Sequence, residues 1–219
     1  MAPRALMSTL LLLYACSGES GSDGQRTFES YFDALPVFWS EIYGAGGSTL
    51  YCAQTFGKRK GREINIEHVY PMSWVMKAEH CGDRDRCRDT RPRFNRIEAD
   101  MHNLYPSRKN INKARGSLPF GEVSGENRRY GKCDFEVDYR RRLIEPRPAS
   151  RGNIARAMFY MHDTYGLKIF NKQGRMLKKW HQADPPDREE RRRNDLIAKI
   201  QGTRNRFVDQ PNLADSLHF

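Results

Sequence analysis

The chain has 219 residues, with 38 Lys plus Arg against 27 Asp plus Glu, a net charge of +11 and a mean hydropathy of −0.82. A charged content of 30% excludes a multi-span membrane protein, and 24 Phe, Trp and Tyr exclude disorder along the whole length; the length suits one domain. The excess of base favours a polyanionic partner, either nucleic acid or anionic lipid headgroups.

Met1 to Met7 carries one Arg and no acid, and Leu6 to Ala15 is apolar. With the small residues that follow, residues 1–16 read as a secretory signal, too short to span a bilayer. Cys16 after Leu13-Tyr14-Ala15 loosely fits a lipoprotein signal, which would anchor the chain to the envelope. Losing residues 1–15 removes only Arg4 and leaves +10, so the basicity belongs to the mature protein. Residues 17–26 are Ser/Gly-rich and read as a linker.

Phe28, Phe32, Leu35, Trp39 and Ile42 step by 3 or 4, which predicts a helix kinked at Pro36 and stopped by Gly44 to Gly47. Residues 48–53 read as a short strand, and Ile64 to Val69 alternates as a second. A helix is expected from Met72 to His80, after Pro71. Cys81 to Arg93 is so charged that a loop is expected. Phe94, Ile97, Met101 and Leu104 return to helical steps, with a strand ending before Pro106 as the alternative. Ser107 is the expected N-cap of a basic segment reaching Arg115. Residues 116–140 are Gly-rich, expected as loop and strand around Cys133. The clearest helix carries Ile154, Met158, Met161 and Tyr165 and stops at Gly166; another runs from Asp187 to Ile200 and stops at Gly202. No pattern is legible after Arg206, and 211–219 reads as a tail. The fold class is α+β, mainly helical, with few and short strands.

The mature chain holds four cysteines, which suggests two disulfides in an exported protein. Cys81 and Cys87 are the natural local pair, leaving Cys52 with Cys133. A zinc site using His80 is the rival, against which the Cys81–Cys87 spacing counts.

Four features within fifty residues could carry phosphodiester chemistry. Glu67 can hold a hard cation, and neighbouring His68 can take a proton from water. Adjacent strand side chains face opposite ways, so the two share a site only at a strand end or bend, which Pro71 supplies. His102 and Asn103 in their apolar frame are expected to satisfy buried backbone groups. Asn112 offers a neutral oxygen ligand. Arg84, Arg86 and Arg88 could pair with phosphate. Singly, each feature is commoner as ordinary surface or core.

Ile66-Glu67-His68-Val69-Tyr70-Pro71 and the run from Ile97 to Ser107 resemble the bacterial endonuclease I family. Tyr130 to Cys133, Arg151 to Met161 and Gln201 to Asn205 extend the resemblance, which covers roughly 28–210; 27–210 is therefore taken as the domain. These are periplasmic or secreted nucleases of the ββα-metal (His-Me finger) superfamily. The resemblance implies one strand carrying His68, a second carrying His102-Asn103, and a helix carrying Asn112. It implies His68 as general base, Glu67 and Asn112 as holders of one Mg²⁺ (Mn²⁺ or Ca²⁺ as substitutes), and Arg84 as phosphate clamp, with Arg86 or Arg88 in reserve. The implied protein is a monomeric, largely sequence-nonspecific endonuclease acting on DNA, with RNA as a second substrate, and leaving 5′-phosphate ends. The competing expectation is a catalytically inactive nucleic-acid-binding envelope protein on the same fold. A lipid-anchored structural protein rests on Cys16 and charge alone.

Overall fold

Residues 24–125 and 128–219 are described by a computed structural model. The expected signal segment and Cys16 lie outside them. Among the described residues, no helix is long and apolar enough to cross a membrane.

In chain order the helices are α1 (Tyr31–Val37), α2 (Met72–Ala78), α3 (Arg84–Thr90), α4 (Pro92–Ala99), α5 (Lys109–Arg115), α6 (Arg151–Tyr165), α7 (Asn171–Ala183), α8 (Arg188–Gln201) and α9 (Arg206–Asp209). The strands are β1 (Gly47–Ser48), β2 (Thr55–Phe56), β3 (Ile64–His68), β4 (Leu104–Arg108), β5 (Phe135–Asp138) and β6 (Leu143–Pro146). They form three antiparallel two-stranded ribbons, β1–β2, β3–β4 and β5–β6. Such ribbons are marginal alone, so each depends on the helices packed against it.

The expected α+β class holds. Pro36 lies inside the first helix, whose last turn, Phe38–Ile42, widens to a π-helix. α6 is the centre of the core: Ile154, Ala155, Met158, Phe159 and Met161 are fully buried and pack with Leu177 and Trp180 of α7 and Phe207 of α9. The same core reaches Val69, Val75, Phe94 and Ile111, so the short strands rest on the helical body. α6 and α8 stop at Gly166 and Gly202, both left-handed, as the sequence predicts.

Cys81 bonds Cys87, and Cys52 bonds Cys133 across a separation of 81 residues. Several local expectations need correction. Residues 49–53 are a turn between β1 and β2. The charged stretch after Cys81 contains α3, because Asp83 caps its N-terminus, accepting from Arg86 N at 2.9 Å, and Arg88 sits in its last turn. Ser107 is a buried β4 residue; α5 starts at Lys109 after Arg108, with no side-chain cap. His102 and Asn103 lie in a 3₁₀ turn, Met101–Asn103, just before the second strand rather than in it. α7 has no counterpart in the sequence reading.

Both ends of the domain are also tied down. Gln25, inside the expected linker, is fully buried and donates to the carbonyls of Phe28 and Arg96 at 2.9 and 2.8 Å. Residues 211–219 form a 3₁₀ turn, Pro211–Ser216, followed by buried Leu217. The Phe219 ring fills the space where a Cβ of Gly174 would stand, so that glycine in mid-α7 permits the close approach.

Candidate active site

β3, β4 and α5 form a ββα unit. β3 and β4 pair from Ile64↔Arg108 to His68↔Leu104. α5 is held against β3 by Asn112, whose Nδ2 donates to the Ile66 carbonyl at 2.9 Å and to Asn65 Oδ1 at 3.2 Å. With Nδ2 thus engaged, Oδ1 of Asn112 remains as an acceptor.

His68 is the last residue of β3, and the chain bends immediately after it. Asn103 makes that bend: Oδ1 accepts from Tyr70 N at 2.6 Å, and Nδ2 donates to the Tyr70 carbonyl at 3.0 Å. His102 donates from Nε2 to the Thr203 carbonyl at 3.0 Å and lies against Tyr160. The His-Asn block is therefore structural, as the sequence reading expects. Because of the bend, Glu67 and His68 share one cleft of about 600 Å³. Asn112, Arg84 and Arg88 line the same cleft, as does Tyr31 from α1. All four residues singled out for catalysis and metal binding thus meet. Arg86 is exposed and is not part of the wall.

Glu67 is 2% exposed. Its Oε1 accepts from the Tyr51 hydroxyl at 2.8 Å and faces Arg115 Nε at 3.4 Å. Burial outweighs both contacts and raises its pKa from the ordinary carboxylate value to about 7. Arg115, itself fully buried, spends its Nη groups on the carbonyls of His68, Val69 and Gly116, while its Nε has no hydrogen-bond partner. Glu67 is thus a carboxylate with an incompletely compensated charge.

The His68 imidazole is half-buried, its Nε2 2.9 Å from the Glu98 carbonyl oxygen. A carbonyl only accepts, so Nε2 carries the hydrogen and Nδ1 is the basic nitrogen. Burial, with the charge of Arg84 adding to it, lowers its pKa to about 4. The Tyr31 ring, 5.2 Å from the imidazole, braces it.

Glu98 lies behind the two arginines of the cleft. Its side chain is 1% exposed and accepts from Arg84 Nε at 2.5 Å and from Arg88 Nε and Nη2 at 2.8 and 2.9 Å. Burial pushes its pKa up, but the Arg88 bonds and the Arg84 charge prevail and hold it below the usual range. Arg88 also meets Asp85 through Nη1, at 3.4 Å, so its fork is spent on carboxylates. Arg84 bonds Glu98 through Nε alone, which leaves its two Nη groups to meet an anion.

The endonuclease I profile matches residues 38–212. The chain belongs to the endonuclease I family. An extracellular deoxyribonuclease of Aeromonas hydrophila is 36% identical, covering 94% of this chain and 98% of its own length. A periplasmic deoxyribonuclease of the same organism is 35% identical over 69% of this chain and 65% of its own length. An extracellular ribonuclease of Bacillus amyloliquefaciens is 33% identical over 54% of this chain and 46% of its own length. The protein is an endonuclease of the periplasm or the exterior, and nucleases of this family are in general metal-dependent.

Among the described residues no group of three or more His, Cys, Asp and Glu could hold a metal ion. One carboxylate plus one amide oxygen fits a cation that keeps most of its waters, as Mg²⁺ does. Glu67 suits that task, because its Oε1 takes both protein contacts and leaves Oε2 to a cation. The sequence alone singles out none of Tyr51, Arg115, Glu98 and Tyr31. Arg115 stands three residues after Asn112, one helical turn on, which is the local signal that could have flagged it.

Proposed function

We propose that this chain is an exported, divalent-metal-dependent endonuclease that hydrolyses phosphodiester bonds of DNA with little regard for sequence, working as a monomer and leaving 5′-phosphate ends. The observation that carries the reading is the convergence of Glu67, His68, Arg84 and Asn112 on one cleft. His68 acts as general base through Nδ1, taking the proton of the attacking water. Its Nε2–H bond to the Glu98 carbonyl keeps that tautomer in place, and its low pKa keeps the ring neutral at working pH. Arg84 pairs through its Nη groups with non-bridging oxygens of the scissile phosphate, anchored from behind by Glu98. Glu67 and Asn112 would hold one Mg²⁺, with Mn²⁺ or Ca²⁺ as substitutes. The bound cation supplies charge stabilisation at the phosphate and at the leaving 3′ oxygen. The deoxyribonuclease relatives support DNA as substrate, and the ribonuclease match supports RNA as a second one.

The test is plasmid cleavage with Mg²⁺, with chelator, and with His68→Ala. Loss of turnover with chelator and a loss of roughly 10³-fold or more with the variant, DNA binding being retained, is expected. Ligatable nicks would support 5′-phosphate ends. Equal plasmid survival with wild type and His68→Ala across several divalent metals would instead favour the inactive binding module.

A further inference from the structure

A second cleft, of about 670 Å³, adjoins the first and plays no part in the chemistry above. The two share Ser117 in their walls, and α2 serves both: Ser73 faces the catalytic cleft and Trp74 the second. Ser73 and Ser117 are hydrogen-bonded at 2.6 Å, which marks the sill between them. The two clefts are thus continuous across one hydrogen-bonded pair of serines.

Its walls differ from those of the first. Half-buried Trp74 and exposed Phe170, at 63%, supply aromatic surface, with buried Phe120 behind them. The Phe170 ring has Lys168 Nζ 5.0 Å from its centroid and is otherwise largely open to solvent. Around these rings stand Lys172, Arg175 and Lys179 of α7, with Arg141 and Arg142 from the turn between β5 and β6. Glu122 is the acid in the lining. None of the five cations has an ion-pair partner among the described residues. By contrast, Arg192, Arg204 and Arg206, near the C-terminus, are paired with Glu189, with Asp195 and Asp209, and with Asp163. Among the described residues of the lining, Glu122 is the one acid set against these five cations.

Aromatic surface framed by unpaired cations is what an unpaired polynucleotide segment recognises: every base has a face to stack, and the phosphates track the cations. A duplex, with its bases stacked on each other, would use only the cations. We propose that the second cleft binds a single-stranded stretch of the substrate next to the scissile phosphate, with a base stacked on Phe170 and Trp74 and its phosphates on Lys172, Arg175 and Lys179. The inference rests on the nuclease reading for the identity of the substrate. It adds that the protein takes unpaired strands by their bases as well as their backbone.

The test is fluorescence anisotropy in EDTA, which prevents turnover, with a labelled 12-residue oligo(dT), the same length of abasic strand, and a duplex. The proteins are wild type, Phe170→Ala and Lys172→Ala/Arg175→Ala/Lys179→Ala, each checked by thermal melting. Phe170→Ala is expected to weaken oligo(dT) binding roughly 5- to 100-fold, to leave the duplex within about 2-fold, and to add no further loss on the abasic strand. The triple variant should weaken all three ligands and lower the salt slope by about 2–3. An equal effect of Phe170→Ala on oligo(dT) and duplex, or none on either, overturns the proposal. Plasmid cleavage by the same preparations separates the readings. A wild type that cleaves while Phe170→Ala changes no affinity sinks only the second cleft, and a wild type that binds through Phe170 but does not cleave sinks only the nuclease.

Discussion

Two buried glutamates, one lining the cleft and one behind its arginines, are treated in opposite ways. Glu98 meets two arginines, and its carboxyl is held below the ordinary range. Glu67 meets a tyrosine hydroxyl and the edge of one arginine already committed to carbonyls, and its carboxyl is pushed up to about 7. A buried charge with full partners is structural; a buried charge short of partners is waiting for one. The difference fits the proposed roles: Glu98 holds the cleft's arginines still, and Glu67 would receive a cation. Each side of the cleft has its own covalent brace. Cys52–Cys133 lies beside Tyr51, and Cys81–Cys87 closes the first turn of the helix that carries Arg84 and Arg88.

The largest effect that would sharpen this contrast is on turnover. Glu67→Gln should cost roughly 10³-fold in plasmid cleavage while leaving metal-free stability equal or higher, because the change removes an ill-compensated carboxylate. Glu98→Gln should do the reverse in kind: about 1–3 kcal/mol of stability by urea unfolding, reduced from the fully buried case because both arginines are partly exposed, with a smaller loss of turnover. If Glu67→Gln unfolds the protein and Glu98→Gln leaves it unchanged, the roles are inverted.

Next come the braces. Chain entropy gives about 4.5 kcal/mol for closing the long Cys52–Cys133 loop and about 2.4 kcal/mol for the short Cys81–Cys87 loop. Serine replacement of the long pair should therefore lower Tm more. Replacement of the short pair should raise KM more than it lowers Tm, since it loosens α3. Equal KM values in the two double variants would separate α3 from substrate binding.

The effects on pH dependence have opposite signs. Glu67 has a raised pKa in the fold, so without metal its contribution to stability is present below about pH 4.5 and is lost as pH rises towards 7; the ceiling is about 3 kcal/mol. Glu98 has a lowered pKa, so its contribution is present above the ordinary carboxylate range and is lost as pH falls through its folded pKa. Urea midpoints in EDTA across pH 4 to 8 should lose the first component in Glu67→Gln and the second in Glu98→Gln. A pH profile unchanged by either substitution would leave the two glutamates electrostatically alike. At saturating metal, the acid limb of turnover should fall below 6.5, following His68.

What was legible in the sequence was local. The alternation in β3 and Pro71 after it locate Glu67 and His68 at a strand end, and the glycines after α6 and α8 mark where those helices stop. What was not legible depended on distant partners or on faces masked by charge. α3 buries a single side chain, that of Cys87, so its composition reads as loop although its cap and end charges are helical. α7 carries Leu177 and Trp180 on its buried face, but Gly174 interrupts the pattern, and the reason for that glycine, the Phe219 ring, lies at the other end of the chain segment. The Tyr51 contact to Glu67 exists only once β3 and the turn before β2 are assembled, so no spacing announces it, and for Arg115 the one local signal is its place a helical turn after Asn112.

The most direct test of the difference between the two glutamates is calorimetric titration of Mn²⁺ into His68→Ala at pH 6.5, in buffers of different ionisation enthalpy, with and without Glu67→Gln. A carboxylate waiting for a cation should bind about one ion per chain and release most of one proton as Glu67 ionises, and both signals should vanish in Glu67→Gln. Metal binding that survives Glu67→Gln, or that releases no proton in the parent, would contradict the assignment.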